Sequence, residues 1–537
     1  MTMKIFTFGS ILTLGIVSIV LFHSHMMWAI VLFLLSLIML CIFIYDSLLG
    51  DIPVQKNFPL LYWFRRTLVS LGPYLRQYIF ASDDSEKPFS RTIREWIYSS
   101  AGGQPNTIGF GSTEDMEKVG SMIILPATFT NLKTKESDQV GQSFSLWVGK
   151  HSNIKPVEMN SFINIGAMSW GGLSSRAISA LNLGAQKAGI FHNTGEGGLS
   201  PYHKMGGSLI YQIGTAKFGI RNKEGNLDIA LLKEVAANNA IKMFEIKLAQ
   251  GAKPGKGGIL PKEKITKEIA EIRKIPLGVD CYSPPRHKEF VDVNGLFDFI
   301  DLVRNTTEKP VGIKMVIGHT EEIELIAKKM SMEPGRGPDF ITVDGGDGGT
   351  GASPLVLASY SGLPVKQAVA CVDWALSQYG VRDKVVIFGS GKVATPIDVA
   401  ALMALGANAV FVARGFMFAL GCVQALKCHK NTCPSGIATS NPQLQKALNV
   451  EETSDKVARY ANVLREETQL LAESCGYSSP LEITADDIMV TTSPGHLDYL
   501  SELHGVSAFE ASNERKEALR KGTTVGRMRT NIDKTRK

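Results

Sequence analysis

No two of the seven cysteines stand as Cys-x-x-Cys, no NAD-type Gly-x-Gly-x-x-Gly lies within a βαβ pattern, and no low-complexity tract or short-period repeat occurs in the 537 residues. The first absence removes the close thiolate pairs of structural zinc modules. The second leaves no nicotinamide site to point to. An odd cysteine count in a chain this large also argues against a disulfide framework and for a reducing compartment. Charge is scarce as well: Asp, Glu, Lys and Arg make up 20% of the chain and hydrophobic residues 44%. That is a folded protein with room for one large domain or two to three ordinary ones. Of the net charge of +6, the stretch Arg515–Lys537 alone carries nine Lys/Arg against two acids, so the remainder is about neutral. A nucleic-acid binder carries its charge on a folded face, not in a polar tail. The tail reads as solvated, or as touching anionic lipid.

Charge is absent altogether from Ile5–Phe22 and from Met26–Tyr45, runs of 18 and 20 residues. Each is long enough to cross a bilayer core as a helix. Two runs, a lone Lys4 ahead of them and no small-residue cleavage site argue against a signal peptide. The linker His23–His25 suits a tight hairpin, with Trp28 and Tyr45 at its interfaces. Lys56, Arg65, Arg66 and Arg76 follow, so the positive-inside bias places both ends of the hairpin and the rest of the chain in the cytoplasm, on the inner membrane. Asn57–Phe80 mixes bulky apolar residues with arginines. It reads either as a helix lying on the bilayer or as one packing on the main domain.

From about residue 155 short apolar runs alternate with helix-like segments. Candidate strands are Phe162–Ile165, Ile190–His192, Met243–Leu248, Leu277–Asp280, Val311–Met315, Phe340–Val343, Val385–Phe388 and Ala409–Val412. Eight strand–helix units predict an α/β fold, a (β/α)8 TIM barrel, with a doubly wound open sheet as the alternative. In "VVIFGSGKVATPIDVAALMALGANAVFVARG", Gly389 and Gly391 allow close backbone approach, a helix N-terminus faces an anion, and Arg414 adds a charged contact. On the last two strands of a barrel this is a phosphate site. The domains expected are a transmembrane hairpin (1–50), a linker with helix (51–150), the barrel with a cysteine-bearing loop (151–450), a helical segment (451–514) and the basic tail (515–537).

Three cysteines, Cys422, Cys428 and Cys433, stand within twelve residues. They leave two readings: zinc with His429 as a fourth ligand, or an iron–sulfur cluster lacking one iron corner, 3Fe–4S, on three thiolates. "CHKNTCPSGIAT" resembles the cluster-binding element of glutamate synthases. In the same order "GAMSWGGLSSRAISAL" (Gly166–Leu181), "NTGEGG" (Asn193–Gly198), "IKLAQGAKPGKGGILP" (Ile246–Pro261) and "VDGGDGGTGASPL" (Val343–Leu355) resemble that family's FMN-binding synthase domain. Membrane-anchored stand-alone members, with "LRQY" ahead of the barrel, look closer still. Against the family pattern, Lys256 replaces a Glu, Ile259 a Gln and Arg286 a Pro, and no glutaminase cysteine or C-terminal β-helix is expected.

The resemblance implies an oxidoreductase that reduces the imine of a 2-oxo acid and ammonia, 2-oxoglutarate to L-glutamate, with FMN and a 3Fe–4S cluster on Cys422, Cys428 and Cys433. It places Met168 and Ser169 along the flavin ring, Gln212 at the flavin edge and Lys314 near N1–O2, with Gly389, Gly391 and Arg414 on the phosphate. Gln250, Lys253 and Arg273 would bind the substrate carboxylates, and Glu196 with Lys253 would do the catalytic work. Asp344 and Asp347 would orient Lys314 or cap the following turn. Residue by residue, simpler readings stay open: Gln212 as a surface amide and Arg273 as an exposed helix-end arginine. Ammonia would come from solution or a separate glutaminase subunit, and electrons from a donor protein or reductase subunit. The alternatives are a related amino-acid or alkylamine oxidoreductase, or a membrane-bound electron-transfer subunit with a drifted pocket.

Overall fold

Eight short strands, most of them buried along their whole length, close into an all-parallel barrel in this computed structural model, which describes residues 2–22, 25–49, 52–128 and 144–504. They are β1 (Ile163–Ile165), β2 (His192–Asn193), β3 (Leu209–Ile213), β4 (Ile241–Lys247), β5 (Val311–Met315), β6 (Phe340–Asp344), β7 (Val386–Ser390) and β8 (Ala409–Val412). Pairing of β8 with β1 and of β4 with β5 shuts the ring, which excludes the open doubly wound sheet. Seven of these strands match the runs read from sequence. The eighth does not: Leu277–Asp280 lies in turns after a short helix, and β3 takes the place assigned to it. In "LIYQI" the polar Gln212 interrupts a short apolar run, although all five residues are buried.

The chain falls into two compact units, Met1–Thr92 and Ile93–Lys537. In the first, α1 (Thr2–Leu21) and α2 (Met26–Leu48) pack side by side: Ser36 donates to the Ile11 carbonyl at 3.0 Å, and Gly15 leaves room for the Ser36 hydroxyl. Small residues at such contacts let helices approach closely. Then come α3 (Pro53–Asn57) and α4 (Leu61–Leu75). His23 of the expected linker and the basic tail 515–537 lie outside the described residues.

In the second unit several barrel helices start on a local capping residue. The Ser174 side chain caps α5 (Ser175–Ala188) by accepting from Ala177, and Asp228 caps α6 (Ile229–Ala236). The short α7 (Lys267–Arg273) rises from a Thr266 cap in the excursion after β4. There follow α8 (Val293–Thr307), α9 (Thr320–Met332), α10 (Val365–Gln378), α11 (Pro396–Ala404), α12 (Arg414–Ala419) and α13 (Val450–Ser474). Helix α11 opens with Pro396 in its first turn and a Thr395–Asp398 capping box. Helices α5 and α13 meet closely at Gly184, where any Cβ would run into Val457. The segment read as wholly helical after residue 450 ends instead in strands: Ile488–Ser493 pairs with Met122–Ile124 and His496–Tyr499.

At the N-terminal end of the barrel, Asp339 is fully buried and accepts from Ser152 Oγ at 2.6 Å, Val311 N at 2.7 Å and Arg304 Nη2 at 3.2 Å. A carboxylate so saturated serves packing, as conserved polar groups at that end of a barrel do. Two imidazoles are also sealed in. His203 Nε2 donates to the Met168 carbonyl at 3.2 Å, which leaves Nδ1 to accept from Ser200 Oγ at 2.8 Å, and His287 Nε2 donates to the Lys247 carbonyl at 3.0 Å. Burial pushes each pKa down from 6.5 to about 4. The unfolded chain therefore takes up protons between pH 6.5 and 4 that the folded chain refuses. The contribution of these groups is complete above 6.5 and is lost as pH falls. The urea midpoint should drop across that window, by about 3 kcal/mol of stability per histidine. His203→Gln should flatten the drop, and an equally steep drop in that variant would contradict this origin.

Candidate active site

Register decides what meets at the C-terminal strand ends. Lys247 of β4 is the direct partner of Lys314 of β5, Gln212 of β3 of Glu245 of β4, and Asp344 of β6 of Ser390 of β7. Two lysines side by side repel, and each has a carboxylate beside it. Glu196, in the loop after β2, sits 3.1 Å from Lys247 Nζ and 3.8 Å from Lys253 Nζ, and Asp344 sits 3.5 Å from Lys314 Nζ. Burial alone would raise the Glu196 pKa. The charges of Lys247 and Lys253, a hydrogen bond from Lys247 and the Arg273 charge reverse that and hold it at about 2. Burial lowers the Lys253 pKa, opposed by Glu196 and reinforced by Lys247 and Lys314.

Around this cluster, Lys247 Nζ donates to Gln250 Oε1 at 3.0 Å, and Gln250 Nε2 to the Gly349 carbonyl at 2.6 Å. Asp344 is further fixed by Gly251 N at 2.8 Å and Ser390 Oγ at 2.9 Å. Arg273 is only 6% exposed, so it is no free helix-end arginine. It donates to the Trp170 carbonyl at 3.1 Å, lies 5.1 Å over the Phe218 ring and pairs with the Cys281 thiol. Gln212 is likewise no surface amide: it is buried, and its Nε2 donates to Glu245 Oε1 at 2.5 Å. The same carboxylate accepts from Asn193 Nδ2 at 2.9 Å and Thr342 Oγ1 at 2.6 Å. This buried network forms the floor beneath the charged residues. Met168 and Ser169 form the adjoining wall after β1, with Met168 N donating to the Asn193 carbonyl.

The two glycines of the expected phosphate turn differ. Gly391 has φ +125°, and a Cβ there would meet Gly345 N at 3.0 Å. Gly389 is a strand residue whose missing Cβ faces Leu402 of α11, so its smallness serves strand–helix packing. Arg414, the first residue of α12, donates to the Asp347 carbonyl at 2.7 Å and lies against Gly349. Asp347 Oδ1 is buried with no hydrogen-bond partner.

The three cysteines follow α12. Burial raises the Cys422 pKa to about 12, with Cys428 and Cys433 adding to the rise, so the thiols lie within each other's field. Burial and Cys433 raise Cys428, whereas Lys264 lowers it. Lys264 Nζ donates to the Gly172 and Cys428 carbonyls at 2.9 and 3.1 Å, and Tyr98 Oη donates to the Cys422 carbonyl. Among the described residues no group of three or more His, Cys, Asp or Glu side chains is placed to hold one metal ion.

The family model described as a conserved region in glutamate synthase matches residues 116–478. The chain belongs to the glutamate synthase family. It is therefore an oxidoreductase of the glutamate synthase type. The glutamate synthase large subunit-like protein YerD of Bacillus subtilis (strain 168) is 38% identical over 496 residues, 86% of this chain and 94% of that protein. The archaeal-type glutamate synthase (NADPH) of Thermotoga sp. (strain RQ2) is 37% identical over 302 residues, 56% of this chain and 55% of that protein. The chain thus spans little more than half the length of such archaeal-type relatives. A solved mandelate oxidase matches with a TM-score of 0.40 at 15% identity, covering 67% of this chain and 85% of that one, too loosely to carry an argument.

Sequence reasoning missed Lys247, Glu245 and Asn193. Lys247 and Glu245 are charged residues inside an apolar strand, the same signal that singled out Lys314. With Glu196→Gln, Lys253 loses the neighbour that favours its charge, so its pKa should fall. Competitive acetylation of Lys253, followed by mass spectrometry across pH, should show its half-point moving to lower pH. An unchanged half-point would mean that the two groups are not coupled.

Proposed function

We propose that this chain makes L-glutamate by reductive amination of 2-oxoglutarate. The observation that carries the reading is charge balance at the strand ends. Lys247 and Lys253 both reach Glu196, Lys314 pairs with Asp344, and the Arg273 charge acts on Glu196 as well. Three cations thus converge on the single Glu196 carboxylate, an excess of positive charge that suits an anionic substrate. Arg273 suits a carboxylate through its planar fork, Lys253 and Lys247 as point charges, and Gln250 as an amide donor.

Held near a pKa of 2, Glu196 stays ionised at neutral pH and serves as counter-ion to both lysines. Lys253, whose charged form burial disfavours, is the better proton donor. It delivers a proton from Nζ to the substrate oxygen as that oxygen leaves as water.

The residues present fit FMN. Gly391 and Gly349 leave a cradle beside Arg414 that side chains would fill, which suits the phosphate. Gly389 contributes backbone only. Met168 and Ser169 wall the ring. Gln212, its NH2 engaged by Glu245, keeps its oxygen for a donor at the flavin edge. Lys314, braced by Asp344, favours the anionic reduced ring. Cys422, Cys428 and Cys433 fit a 3Fe–4S cluster. When bound, the flavin supplies the hydride and the cluster the single electrons that replenish it.

Ammonia comes from solution or a partner glutaminase subunit, and electrons from a donor protein or reductase subunit. Helices Lys4–Leu21 and Met26–Leu48 are long and apolar enough to cross a membrane. We read them as a hairpin in the inner membrane, with the catalytic unit on the cytoplasmic side.

Lys253→Ala and Arg273→Ala should each slow flavin reoxidation by 2-oxoglutarate with ammonium by a factor corresponding to about 2–5 kcal/mol. Bound flavin and reduction by dithionite should stay near wild type, and Arg273→Lys should recover part of the loss. Wild-type protein that is not reoxidised by 2-oxoglutarate with ammonium would remove the reading. Cys428→Ser should lose iron while keeping flavin, and protein isolated anaerobically should carry about three irons per chain. Stoichiometric zinc instead of iron would show that the thiols hold a different metal.

A further inference from the structure

Helix α4 has an apolar face that its own unit leaves uncovered. Leu61, Phe64, Leu68, Leu71 and Leu75 recur at helical spacing along one stripe, and all five are exposed, Phe64 by 67%. The helix buries none of its residues. Such a stripe in water is unfavourable, so something covers it.

Two further observations say what. The first is position. Asp46, one residue past the apolar run in α2, is fully buried and accepts from Gln55 Nε2 at 2.8 Å, Leu60 N at 3.0 Å and Trp63 Nε1 at 3.1 Å. These bonds clamp the first turn of α4 to the end of α2, the level at which a spanning helix leaves the lipid core. The second is charge. Lys56, Arg65, Arg66 and Arg76 fall between residues 52 and 82, and no Asp or Glu does. The three arginines stand off the apolar stripe on a helical wheel, and Arg66 lies 5.0 Å over the Trp63 ring.

We propose that α4 lies in the plane of the bilayer surface and that its arginines select a leaflet rich in anionic lipid. The proposal rests on reading α1 and α2 as a spanning hairpin. An amphipathic helix with aromatic and apolar residues on one side and cations flanking them has the composition of an interfacial helix. A second copy of this chain would cover the stripe but would bring four like charges against four. Anionic headgroups answer both the apolar face and the cations.

Hydrogen exchange by mass spectrometry on the full chain tests this, in nanodiscs of phosphatidylcholine alone and of an equal mixture with phosphatidylglycerol. Amides of Leu61–Leu75 should exchange roughly tenfold more slowly in the mixture, and high salt should erase the difference. The variant Arg65→Gln/Arg66→Gln/Arg76→Gln should lose that difference while α1 and α2 stay protected. Protection of α4 that is the same in both lipids, or the same without lipid, overturns the proposal and points to a protein surface as the cover. Protected hairpin amides with unprotected α4 amides overturn it alone. Unprotected hairpin amides remove the spanning hairpin as well.

Discussion

Two lysines in register on adjacent strands dominate this barrel. Lys247 and Lys314 stand side by side because β4 and β5 pair with Ile246 opposite Ile313. Like charges at that spacing repel, and both ammoniums are mostly withdrawn from water. The arrangement persists only because carboxylates from elsewhere in the chain reach in: Glu196 from the loop after β2, and Asp344 from the end of β6. Those carboxylates in turn hold backbone. Asp344 takes the Gly251 amide and the Ser390 hydroxyl, which joins the loop after β4 to β6 and β7. The concentration of positive charge that suits an anionic substrate thus also ties the strand-end loops together.

The two ends of the barrel use charge differently. At the N-terminal end, Asp339 is paired and hydrogen-bonded to saturation by Arg304, Ser152 and the Val311 amide, leaving nothing for a ligand. At the other end the cations outnumber the carboxylates, and Asp347 Oδ1 and Arg273 Nε are buried without partners. Unsatisfied buried polar atoms are costly, and they occur at both ends, since both ring nitrogens of His151, beside Asp339, are also buried without a partner. The cysteine loop borders the C-terminal end, joined to the strand-end region through Lys264, which bridges the Gly172 and Cys428 carbonyls.

Much was legible in the sequence because it depends on neighbours along the chain. Uncharged runs of 18 and 20 residues define two long helices whatever else the protein does. Seven barrel strands announced themselves as short apolar runs between helical segments, and the cysteine spacing pointed to a thiolate site. Capping residues such as Ser174 and Asp228 set helix starts by bonding two or three residues ahead. Resemblance over several ordered motifs supplied the family.

What remained depends on residues far apart in sequence, and only the closed barrel brings them together. β3 was missed because the polar Gln212 breaks its apolar run, and that residue finds its partner only on the next strand. Arg273 looked like a surface residue because a helix end normally faces water. Its burial comes from packing against Phe218, Trp170 and Cys281, none of them within seven residues of it in sequence. Lys247 lay in a recognised motif, yet nothing local says that Glu196 neutralises it, because that pair spans two strands and depends on register. Local spacing determined which residues could do chemistry. Register and closure decided which of them meet, since Coulomb and hydrogen-bond energies act only over the few ångströms that the tertiary fold sets.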